Sequence, residues 1–118
     1  PEIVAPYLHI QLALANDSID GVMEAAQSIA TEAGQLGDEG KAVVIAAQVV
    51  VGANDLTSAR VAFGPLSDVL IEYAKEAGLG ELKVAYCPMA KQSWVQKGGE
   101  ILNPFYGSTM LNCGAFTQ

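Results

Sequence analysis

The strongest constraint on the fold is a helical repeat that runs to about residue 80 and then stops. Ile19, Val22, Met23, Ala26, Ile29, Ala30 and Ala33 recur at steps of three and four, which puts one apolar stripe on a helix. Leu56, Ala59, Phe63, Leu66, Leu70, Tyr73 and Ala77 do the same further on. Glycines and helix-start residues punctuate the pattern. Pro6 suits the first turn of a first helix, with Tyr7, Leu8, Leu12 and Leu14 as its apolar side. Asp17 or Ser18 is the expected cap of the second helix, which Gly34 and Gly37 end. Asp38 opens a third helix through Val51. Its valines would also suit a strand, but its length and its helical neighbours favour helix. Asn54 or Asp55 opens a fourth helix, with a kink expected at Gly64-Pro65 and a stop at Gly78.

After Gly80 the character changes. Leu82 to Tyr86 reads as a short strand, and Pro88 forces Cys87 into an extended conformation. Residues 90–100 read as a polar loop around Trp94, Asn103 to Gly107 as a turn-rich link, and Thr109 to Phe116 as a second strand beside the first. The expected architecture is therefore mainly α: a four-helix bundle with a short C-terminal β-hairpin or irregular lobe. The whole chain, 1–118, is expected to form one domain, with the bundle in 1–80 and the lobe in 81–118.

Composition narrows the function. Half of the residues are apolar and few are charged, which suits a packed core rather than disorder. The net charge of −7 is uneven: residues 1–80 carry −8 and residues 81–118 carry +1. The acidic part repels phosphates and anionic lipid, so a nucleic-acid partner is not expected. No stretch reaches the roughly 20 apolar residues of a membrane span, so no membrane insertion is expected. No carboxylate pair has catalytic spacing, no nucleophile shares a motif with histidine, and Gly98-Gly99 lacks the Lys-Ser/Thr of a phosphate loop. A non-enzymatic role follows as the expectation.

The chemistry sits in the last third. Cys87 and Met89 form one close sulfur pair, and Met110 and Cys113 form another. Thiolates and thioethers are soft donors that favour Cu(I), and Ag(I) by the same chemistry, over hard cations. Zn²⁺ accepts thiolates but rarely thioethers, so the two methionines tilt the choice toward Cu(I). Two plainer alternatives stand beside a metal site. Cys87 and Cys113 can form a disulfide closing a loop of 27 residues, for a contribution of about 3 kcal/mol. The methionines can simply fill a core, with no ion bound. Trp94 is either a shield over the site or a packing anchor. His9, the single histidine, is a candidate extra ligand or an ordinary helix residue.

The run Val84-Ala85-Tyr86-Cys87-Pro88-Met89-Ala90, then Trp94, then Glu100 to Gly107, then Met110-Leu111-Asn112-Cys113-Gly114, resembles a bacterial domain family of unassigned function. That family occurs alone in periplasmic or secreted proteins and fused to periplasmic adaptor subunits of copper/silver efflux pumps. The resemblance extends to Tyr7-Leu8 and Arg60-Val61-Ala62-Phe63, with departures at Gly64-Pro65 and Lys91-Gln92-Ser93. It implies a periplasmic or exported location and a part in handling copper. An efflux adaptor or another envelope protein is the implied partner. It also implies Cys87, Met89, Met110 and Cys113 as the sulfur positions, with Trp94 as the loop tryptophan.

Overall fold

The computed structural model describes residues 2–118. Among them, four α-helices lead into a small sheet: α1 (Val4–Ala15), α2 (Val22–Gly34), α3 (Lys41–Val51), α4 (Leu56–Ala77), then β1 (Leu82–Cys87), β2 (Gln92–Lys97) and β3 (Ala115–Phe116). The strands run antiparallel in the order β2-β1-β3. This is a mixed α/β fold with a helical core. It corrects the expectation of a mainly α four-helix bundle with a terminal hairpin or irregular lobe.

The physical reason lies in β2. Trp94 and Val95 are adjacent, so on a strand they point to opposite faces. Both are buried. Val95 and its partner Val84 join the helical core, whereas Trp94 and its partner Ala85 join a second cluster with Cys87. The sheet is thus a middle layer, with helices on one face and the segment 101–113 on the other. A stretch that reads as a polar loop is a strand because both of its faces are covered. Conversely, the expected strand at Thr109–Phe116 shrinks to Ala115–Phe116, preceded by a 3-10 turn at Gly107–Thr109.

Local chemistry explains the helix limits. Asp55 caps α4, its Oδ1 accepting the Ser58 N–H at 2.7 Å. The helix continues through Pro65 and ends before Gly78, the expected stop. Pro65 is exposed, so the Val61 carbonyl that loses its N–H partner has access to water. Phe63, Leu66 and Leu70 on the opposite side remain fully packed. Asp17 does not cap α2. It adopts a left-handed conformation (φ 58°), and α2 begins only after Gly21. Asp38 lies in a 3-10 turn, Gly37–Gly40, that leads into α3.

Three polar ties fasten the layers. The buried Tyr7 hydroxyl on α1 lies 2.7 Å from Ser67 Oγ on α4 and accepts the Val95 N–H of β2 at 3.2 Å. Burial drives its ionisation far above the usual phenol range, outweighing the bonds to Ser67 and Val95. Arg60 on α4 donates to the carbonyls of Leu14 and Pro104 and pairs with Asp17. Gln11 donates to the Leu102 carbonyl at 2.8 Å.

A candidate soft-metal site at Cys87 and Cys113

Cys87 ends β1 with its side chain on the same face as Ala85, packed beside Trp94. Chain reversal follows at once. The turn 88–91 is closed by Lys91 N–H on the Cys87 carbonyl at 2.7 Å, and β2 starts with Gln92 opposite Cys87. That tight turn aims backbone donors at the sulfur, with the Ala90 N–H 3.4 Å from Cys87 Sγ.

Cys113 arrives from the far side on a compact loop. Asn103, fully buried, organises it. Its N–H donates to the Leu111 carbonyl and its amide nitrogen donates to the Cys113 carbonyl. Its Oδ1 accepts the N–H groups of Phe105 and Tyr106 at 2.8 and 3.1 Å, an Asx turn. Cys113 N–H in turn donates to the Met110 carbonyl at 3.0 Å. Gly114 follows at φ 132°. A side chain there would strike the Tyr86 carbonyl and the Trp94 ring, so glycine lets this loop close on β1.

The outcome is a sulfur pair: Cys87 Sγ lies 3.1 Å from Cys113 Sγ, both as free cysteines. Their acidities move apart. Burial raises Cys87, but donation from Ala90 N–H, the Cys113 thiol, the Asn103 amide and Met89 N–H outweighs it, and the thiol ends below its ordinary value. Cys113 ends above its ordinary value, chiefly because its proton is engaged by Cys87. The arrangement is a pair of thiols in which Cys87 is the more acidic and Cys113 the less acidic member.

Of the other expected site residues, Trp94 shares the layer of Cys87, whereas His9 is engaged elsewhere, between α1 and α2. Met89, on the turn that follows Cys87, is 62% exposed. Met110, half-buried, sits one turn before Cys113 and is bonded to it through the backbone. Trp94 is fully buried in the layer shared with Cys87, edge-on to Phe105, its Nε1 donating to Gln96 Oε1 at 2.9 Å. His9 stands at the junction of α1 and α2, its Nε2 donating to the Asp20 carbonyl at 3.2 Å. Asn103 is the contributor that sequence reasoning passes over. Its only signal is the Asn-Pro pair of a turn.

Among the described residues no three His, Cys, Asp or Glu side chains converge on a common point. No helix among them is long and apolar enough to cross a membrane. Compared with protein-family models, curated proteins and solved structures, the chain matches none.

Proposed function

We propose that this chain binds a soft monovalent metal ion, Cu(I) or Ag(I), at Cys87 and Cys113, for buffering or for delivery to an efflux system outside the cytoplasm. The carrying observation is the 3.1 Å approach of two sulfurs from separate segments. Two thiolates supply soft donors and the negative charge that neutralises the ion. With metal–thiolate bonds of about 2.3 Å, trigonal or tetrahedral angles need the sulfurs about 3.8–4.0 Å apart. Loading therefore asks the Cys113 loop to open by somewhat under ~1 Å.

Neutral thioethers complete the donor set in this reading. Met89, on the turn beside the pair and already exposed, folds inward over the ion, and Met110 approaches from the Cys113 side. Their weaker bonds favour release to a partner. Trp94 and its aromatic neighbours keep water from the inner face. The resemblance to domains fused to copper/silver efflux adaptors supports a periplasmic setting and an adaptor or other envelope protein as recipient. No catalytic step is part of the proposal.

Competition with a Cu(I) chelator under reducing conditions tests it. Cys87→Ser and Cys113→Ser should each lose most of the affinity, and His9→Ala should change little. Equal binding by wild type and the double serine variant would end the proposal.

The same proximity favours one other reading, a non-catalytic interaction module stapled by a Cys87–Cys113 disulfide. The present separation exceeds a bonded pair, about 2.05 Å, by only about 1 Å. A thiol count on native, metal-free protein separates the two. Two unreactive thiols favour the staple, and two reactive thiols protected by Cu(I) favour the site.

A further inference from the structure

We propose that the seam between α3 and α4 is a docking surface for an amphipathic helix, apolar along one half and carrying Lys or Arg along the other. The inference is independent of the sulfur site.

Two grooves lie along this seam. Near the α3–α4 turn, a groove of about 530 Å³ is lined by Val49, Val61, Pro65 and neighbours, none of them charged. Toward the other end of the helices, a groove of about 670 Å³ is lined by Glu39, Asp68, Glu72 and Glu76 with no basic residue. The apolar part is exposed: Val49 is 57% and Val61 74% accessible, and Ile45, one turn before Val49 on α3, is 55% accessible beside the groove. Ala42, Ile45 and Val49 share one face of α3, and Val61, Pro65, Asp68 and Glu72 share one face of α4.

Helix propensity does not account for these choices. β-Branched residues and proline are poor helix formers, and a solvated face is served better by Ala, Lys or Glu. Contiguous exposed apolar surface marks an interaction site. Proline also strips the Val61 carbonyl of its helical partner on the same groove. Charge selects the occupant. The four carboxylates have no ion-pair partner, since the one salt bridge among the described residues is Arg60–Asp17. Lys41 and Lys75 belong to these helices but do not line the grooves.

A second copy of the chain is the wrong complement. Either two-fold pairing of seams sets carboxylates against carboxylates or buries them against the apolar half. A helix with apolar anchors and a basic end matches both halves at once, the helix-in-groove mode of recognition. From Val61 to Glu76 the seam is about 22 Å long, which fits a partner of about four turns.

The probe is a synthetic helical peptide of about 16 residues, with leucines at three- and four-residue steps in one half and lysines in the other. It is titrated into the isotope-labelled chain and followed by NMR. Amide shifts should concentrate in residues 39–76, and binding should weaken with salt. Val61→Asp and Glu72→Lys should each weaken it about tenfold or more with an unchanged circular dichroism spectrum, both positions being exposed. A control peptide with Glu in place of Lys should not bind. Equal binding of both peptides, shifts away from α3 and α4, or unchanged affinity in both variants overturns the proposal. So does a concentration-dependent dimer that Val61→Asp abolishes, since that assigns the face to self-association.

Discussion

The side-chain amide of Asn103 donates to the carbonyl of Cys113 at 2.9 Å. Through this bond a buried asparagine at the entry of the 103–113 loop holds the cysteine at its exit. Asn103→Leu removes that bond and both Asx-turn acceptances while keeping similar bulk. A stability loss of about 1–3 kcal/mol is expected, because the Phe105 and Tyr106 N–H groups lose their acceptor. Urea unfolding measures it. If the sulfur site binds Cu(I), chelator competition should show weakened binding under conditions where the variant is folded.

The two thiols should titrate in two separate steps, one shifted down and one shifted up from the ordinary thiol range. Cys87 is the depressed member despite its burial, because its hydrogen-bond donors outweigh that burial; Cys113 is the raised one, through its bond to Cys87. A depressed acid adds stability above its unfolded value and loses it as pH falls through the folded one. A raised acid adds stability below its unfolded value and loses it as pH rises through the folded one. The pair should therefore stabilise the fold most with one proton bound and weaken it at strongly alkaline pH. Thiolate absorbance against pH checks this, with Cys113→Ser leaving a single step. One unsplit step in wild type contradicts it.

Gly107→Ala should destabilise the protein by about 1–3 kcal/mol. Gly107 has φ 59°, and an added Cβ would fall on the Asp17 carboxylate and the Arg60 guanidinium. That contact disrupts the ties of Asp17 to Arg60 and Ser108, which fasten the loop to α1 and α4. Denaturant midpoints of the variant and of Arg60→Ala should both fall.

Tyr7→Phe should cost about 1–3 kcal/mol without changing thiol reactivity. The lost hydroxyl leaves the buried Val95 N–H and Ser67 Oγ without the partner that links α1, α4 and β2. Thermal unfolding alongside alkylation of Cys87 and Cys113 separates a loss of stability from a change at the sulfur pair.

The helices are legible because each carries its own signal. Periodicity in α4 and the Asp55 cap are local facts, satisfied within a few residues. The same reasoning fails at Asp17, whose side chain answers to Arg60 and Ser108 far along the chain rather than to its own helix. It fails at β2 because Gln92, Ser93, Gln96 and Lys97 dilute the apolar pattern. Gln96 is buried yet satisfied, accepting from Trp94 and donating to the Lys97 and Glu100 carbonyls, a role no pattern announces.

By itself the sequence determined a helical N-terminal part and a C-terminal part holding both cysteines beside two methionines. Donor softness is a property of residue type, and helix formation is largely a property of neighbours a few residues apart. Tertiary structure alone decided that the sheet lies between two apolar layers and that Cys87 meets Cys113. Closing a 26-residue separation costs chain entropy. What offsets it is spread over strand register, the Asn103 clasp and the small residue at 114, contacts that exist only once the chain is folded.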